Sequence, residues 1–126
     1  MLGWAAWGQG RTKDAVASFE RAVALSREAL SLSFLGHVYA RLGRRDEAMS
    51  LRQELDQLAS QNKASPLSLV VLHAGLGDVE AALAWLETAL RLRHDLPWLL
   101  TKFPGLDPLR SDPRFAALVH RVAVLA

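Results

Sequence analysis

The sequence predicts an all-α fold of antiparallel helical hairpins stacked side by side. Three observations predict it. First, a skeleton of small and apolar residues returns at a fixed interval: Leu2-Gly3, Gly10, Ala15 and Ala22, then Leu35-Gly36, Tyr39, Gly43 and Ala48, then Gly77, Ala82 and Ala89. Gly10 to Gly43 is 33 residues and Gly43 to Gly77 is 34. Second, the helical stripe Ala15, Val16, Phe19, Ala22, Val23 returns as Ala82, Leu83, Leu86, Ala89, Leu90, two intervals on. Third, a glycine follows the first helix of each pair, where it can take the left-handed turn without steric cost. A period of this size means helix-turn-helix units that bury their apolar faces only by stacking.

The elements follow in order. A short helix over about 2–9 carries Trp4 and Trp7 and stops at Gly10. The helix 12–27 has one apolar stripe, with Ala15 and Ala22 admitting a neighbour and Phe19 filling the space between. The helices 30–42 and 45–61 form the second pair around Gly43. The stripe of 45–61 runs Ala48, Leu51, Leu55, Leu58, so this helix is expected to be rotated relative to its counterparts. Ser65-Pro66 caps and opens the helix 66–76, and 79–93 completes the third pair. A further helix is expected over 96–102. Pro97, Pro104, Pro108 and Pro113 punctuate the end of the chain, and Asp112-Pro113 starts a last helix over 112–124. Its face of Phe115, Leu118, Val119 and Val122 is expected to lie over the last hairpin as a lid. The expected organisation is a single domain, 1–126, with units at about 1–28, 29–62 and 63–95 and a cap at 96–126. The first helix lacks an opening turn, so the chain is expected to be the C-terminal end of a longer array or to be completed by a partner.

Composition narrows the function. The 126 residues can bury roughly two-thirds of their unfolded surface. With 51% hydrophobic and 22% charged residues, the chain is expected to fold rather than stay disordered. A net charge of +2, from 15 basic and 13 acidic residues, favours neither nucleic acid nor an anionic membrane. There is no cysteine, so disulfides and cysteine-based metal sites are excluded. No secretion signal opens the chain, and no apolar run approaches a bilayer span, so a cytoplasmic location is expected. The absence of isoleucine and the excess of arginine over lysine, 12 to 3, hint at a GC-rich bacterial genome.

The pattern of Leu-Gly, an aromatic three residues after that glycine, a second Gly, then Ala, a large residue and Ala resembles the tetratricopeptide repeat. Leu35, Gly36, Tyr39, Gly43 and Ala48 carry it in the second unit. Leu2, Gly3, Gly10, Ala15, Phe19 and Ala22 carry it in the first, and Gly77, Ala82, Leu86 and Ala89 in the third. The resemblance covers about 1–95, and the tail from Leu106 to Phe115 is similar to the closing segment of many bacterial proteins that contain such repeats. It implies a short right-handed α-solenoid whose first helices line a concave groove for a peptide. In the third unit Val70 stands where Gly36 does and His73 where Tyr39 does, so packing there departs from the pattern.

By register, Trp4, His37 and Val71 are equivalent, as are Trp7, Ala40 and Ala74. The groove the resemblance implies is lined by Trp4, Ser33, His37, Arg41, Leu67 and Val71, with an aromatic end, polar donors in the middle and an apolar end. Trp4 and Trp7 read better as core residues than as groove contacts, whereas Ser33, His37 and Arg41 read as well as a plain solvated face. With no helix before it, the face of Leu2, Trp4 and Trp7 is also an expected edge for self-association into a homo-oligomer. The family's clamp for C-terminal carboxylates, built from lysine, asparagine and arginine, is absent, since Arg41 is the only cation at these positions.

The remaining residues point away from chemistry. His37, His73, His94 and His120 form no pair at metal-ligand spacing, so no metal is expected. His73 is expected to pack in the core, and His94-Asp95 to end one helix and cap the next. Arg44-Arg45, Arg91 and Arg93 sit near helix ends, where they answer the helix dipole or stay hydrated. No phosphate-binding loop, cofactor motif or catalytic constellation is present. The expected function is a protein- or peptide-binding module, the scaffold or sensor part of a bacterial regulator and not an enzyme. The alternative is a small-molecule or signal-peptide sensor holding its ligand near His73 and Val71.

Overall fold

The computed structural model describes residues 2–92 and 103–125. It is all-α among the described residues. Three hairpins follow one another: α1 (Leu2–Gly8) with α2 (Thr12–Leu25), α3 (Ala29–Arg41) with α4 (Arg45–Ser60), and α5 (Pro66–Leu76) with α6 (Val79–Leu92). A 3-10 helix, Pro104–Leu109, and a last helix, α7 (Pro113–Leu125), close the chain. The helix expected over 96–102, Arg93 and His94-Asp95 lie outside the described residues.

The turns explain the hairpins. Gly10, Gly43 and Gly77 have φ of 77°, 82° and 82°, the left-handed conformation that ends a helix. In each turn the amide after the glycine donates to a carbonyl five residues back: Arg11 to Ala6 at 2.9 Å, Arg44 to Tyr39 at 2.8 Å, Asp78 to His73 at 3.0 Å. The same motif ends α4, with Asn62 at φ 58° and Lys63 donating to Leu58 at 2.7 Å. Asparagine is the side chain that tolerates this conformation best after glycine. Helix α2 stops at Leu25, short of the expected 27, because Ser26 is extended.

Side-chain caps start the later helices. Ser65 Oγ accepts from the Ser68 amide at 3.3 Å, and Asp78 Oδ1 accepts from the Ala81 amide at 3.2 Å. Asp112 Oδ1 accepts from the Arg114 amide at 2.8 Å. Arg11 and Arg44 stand at the caps of α2 and α4 without a side-chain hydrogen bond to the helix. They reach instead to Asp14 and Glu47 in the first turns, where acidic residues suit the helix dipole. Arg44 also lies over the Tyr39 ring at 4.2 Å.

Packing then stacks the hairpins. Helices α3 and α5, the first helices of neighbouring pairs, run in close contact. Gly75 makes this possible: a Cβ there would lie 2.5 Å from His37 Cα. A Cβ at Gly36 would likewise lie 2.6 Å from Leu72 Cδ1, and one at Gly3 2.6 Å from the Phe19 ring inside the first hairpin. The main core runs from Trp4 and Phe19 through Phe34, Val38, Val70 and Leu86 to Leu106, Leu109 and Phe115. Helix α4 lies between two clusters: Ala48 and Leu51 join the main core, and Leu55 joins a smaller one with Ala29, Leu69 and Leu72, so its buried Ala48, Leu51 and Leu55 belong to the stripe read from the sequence.

Helix α7 packs on α6, as expected of a lid. Two ion pairs bridge them: Arg114 to Glu80 at 2.6 Å and Arg121 to Glu87 at 3.3 Å. Each joins residues 34 apart, one repeat interval. Both rungs step seven residues along both helices, so α6 and α7 run parallel. That is the relation expected between second helices of adjacent units.

Candidate functional site

The face formed by the first helices is the candidate site, and the chain itself covers it. The 3-10 helix lies against α5 and α6 and also reaches α1. Phe103, the residue before it, places its ring 5.3 Å from Trp4 and 5.8 Å from Phe34, both edge-on. Trp4 in turn stands edge-on to Phe19 at 5.0 Å, Phe34 at 5.2 Å and His37 at 5.3 Å. Such T-shaped contacts each add about 0.5–1.5 kcal/mol beyond the area they bury. Leu106 and Leu109 have no exposed surface.

The covering segment is held in its own tight shape. Pro104 and Pro108 preset the backbone of the 3-10 turn. The Phe103 ring folds back over Gly105, where a Cβ would meet it at 2.9 Å. Arg110 donates from Nε to Asp107 Oδ1 at 2.8 Å and from Nη2 to the Phe103 carbonyl at 2.9 Å, which staples the two ends together. Its guanidinium lies 5.5 Å from the Phe115 ring centroid.

The residues read as groove-lining are placed as follows. Trp4, Ser33, His37 and Val71 are buried, Leu67 is half-buried and Arg41 is exposed. Ser33 Oγ donates to the Leu30 carbonyl at 2.7 Å, inside its own helix. His37 Nδ1 is 2.8 Å from the Val71 carbonyl, so in the neutral ring Nδ1–H donates across from α3 to α5. Burial pushes the His37 pKa down to about 4, and the Arg41 charge adds to the depression; the bond to Val71 and the Asp107 charge act the other way. Two of the three polar groups expected at the centre are thus used by the fold itself. Of the edge read for self-association, Trp4 is covered by Phe103, Trp7 is half-buried, and the Leu2 side chain lies outside the described residues.

One polar atom on this face has no partner. Trp4 Nε1 is buried and makes no hydrogen bond, although an indole N–H inside a protein usually finds an acceptor. His73, buried as expected, has an unpartnered Nδ1 as well, 4.0 Å from an Asp78 oxygen and too far for a hydrogen bond. Its neighbours in the helix, Val70, Val71, Leu72 and Ala74, are buried. A cleft of about 380 Å³ lies elsewhere, between α6 and α7, lined by Leu83, Ala84, Ala117 and Leu118 and crossed by the two ion pairs. Among the described residues no group of three or more metal-ligating side chains comes together. No helix among them is long and apolar enough to cross a membrane.

Sequence reasoning missed Phe103, Leu106 and Leu109, because the prolines around them read as punctuation. Their spacing of three is itself the signal, since a 3-10 helix places every third side chain on one face. Gly75 was missed too, because register pointed to position 70 instead.

Three family models, each described as Tetratricopeptide repeat, match residues 1–33, 31–63 and 67–88. No curated protein and no solved structure gives a significant match. Tetratricopeptide repeats are in general protein-interaction modules. The three matches follow the three hairpins in order, and with the all-α stack they identify the chain as a member of the tetratricopeptide repeat family.

Proposed function

We propose that the chain is a peptide-binding module that works through the face of α1, α3 and α5 and carries out no chemistry of its own. One observation carries this reading. That face already seats a short, self-contained turn, Phe103–Leu109, in the manner of a bound peptide. Arg41 and Leu67 keep surface at its margins and would meet a partner there. In the same reading 1–126 is one domain of three units and a cap, cytoplasmic, serving as scaffold or sensor in a bacterial regulator. The arginine-rich, isoleucine-free composition supports the bacterial part.

A peptide-display selection tests the proposal. The chain should enrich a related set of sequences, and Arg41→Glu or Leu67→Asp should lose at least ten-fold in affinity for them. If nothing is enriched, or both variants bind as the parent does, the face is not the site.

A further inference from the structure

We infer that Phe103–Leu109 is an internal competitor on the peptide-binding face, and that the external partner is a peptide of like chemistry: an aromatic anchor followed by two leucine-sized anchors on a proline turn. This rests on the function proposed above.

The covering segment has the properties of a ligand rather than of a repeat helix. It is short and its shape is fixed locally by Pro104, Pro108, Gly105 and the Arg110 staple. A preorganised segment loses little entropy on docking. It docks through three anchors at a spacing of three, Phe103, Leu106 and Leu109, all buried.

The fit is incomplete at one point, which is what allows displacement. Trp4 is 5% exposed and its Nε1 finds no acceptor on the internal segment. The Trp4 and Phe103 rings meet edge to face, 5.3 Å between centroids, so a peptide that displaces Phe103 reaches the Trp4 ring. A peptide that brings a carbonyl or carboxylate oxygen to this N–H satisfies a donor that the internal segment leaves unmet. Being part of the same chain, the internal segment competes at a high effective concentration, so the resting state is closed and an outside peptide binds with reduced apparent affinity.

The experiment supplies the segment in trans. The probe is a fluorescently labelled peptide of sequence Phe-Pro-Gly-Leu-Asp-Pro-Leu-Arg-Ser-Asp, that of residues 103–112. It is titrated by anisotropy into the full chain and into the full-length Leu106→Asp variant, whose new charge cannot stay in the apolar site. Circular dichroism checks that the variant keeps its helices, and Phe103→Ser replaces it if it does not. The opened variant should bind the peptide at least ten times more tightly than the parent chain. Bound peptide should return the Trp4 indole and His37 ring resonances to their positions in the parent. Equal binding by parent and variant overturns the inference, because then nothing is being competed for. Failure of the peptide to bind the opened variant also overturns it, while leaving the display selection, which does not use this sequence, as the independent test of the face.

Discussion

At the scale of the residue, two positions decide how α3 and α5 meet. Gly75 has room for no side chain, because a Cβ would sit 2.5 Å from the His37 backbone. Gly75→Ala must therefore push the two helices apart, and overpacking of this kind costs about 1–3 kcal/mol. Gly8, also helical, would place a Cβ in open space. Gly8→Ala should be neutral or stabilise by up to about 1 kcal/mol, since alanine is the better helix former. Urea denaturation of the two variants beside the parent measures both, and opposite signs are expected. His37 supplies the second prediction. Its pKa falls from 6.5 to about 4 on folding, so between those values the unfolded chain binds the extra proton and the folded chain does not. Stability is then constant above about pH 7, declines as pH falls through 6.5 and levels off below 4. Between pH 7 and pH 5 the loss from this group is about 2 kcal/mol. Burial also lowers the His73 pKa, which adds a loss of the same sign. His37→Gln should flatten the dependence in part, as read from urea midpoints across that range.

At the scale of the element, the α6–α7 contact shows what surface charge can and cannot do. The Arg114–Glu80 and Arg121–Glu87 pairs are about half exposed or more, so each contributes little to stability and is screened by salt. The apolar seat of Phe115 and Leu118 does more to hold α7 in place. Arg114→Ala should thus leave the urea midpoint nearly unchanged but raise amide hydrogen exchange in the first turns of α7. The increase should shrink in 0.5 M salt. Elements are also where the sequence was easiest to read. Gly10, Gly43 and Gly77 announce their turns because only a left-handed residue closes them, and Ser65-Pro66 and Asp112-Pro113 announce helix starts by capping. The turn at Asn62 was less legible, since asparagine is also common in plain linkers. The segment 104–109 was hidden for a physical reason. Proline removes the amide that an α-helix needs, yet a single 3-10 turn tolerates it, so a breaker of one structure is a former of the other. The candidate site was legible as a face, through the register of Trp4, His37 and Val71. Its occupancy was not, because a contact between Trp4 and Phe103 spans almost the whole chain and leaves no periodic trace.

At the scale of the whole molecule, that same contact changes how the array holds together. In an ordinary stack each unit touches only its neighbours, and a substitution at one end is not felt at the other. Here Phe103 joins the first hairpin to the last, through Trp4 on α1 and through the 3-10 helix on α5 and α6. Helix α1 is only seven residues long and would be marginal by itself, so it depends on what Trp4 packs against, Phe103 among its four ring neighbours. Phe103→Ala removes a buried ring, a change that typically costs about 3–5 kcal/mol. Part of that loss should appear far from position 103. Amides of α1 and α2 should exchange faster together with those of α5, while the C-terminal half of α4, where Leu55 and Leu58 pack in the second core cluster, should keep most of its protection. Thermal unfolding should broaden or divide as the first hairpin uncouples from the rest. Hydrogen exchange followed by mass spectrometry separates the two pictures. Loss of protection confined to α5, α6 and α7 would mean that the ends of the array are independent, and that the Trp4–Phe103 contact contributes nothing to cooperativity.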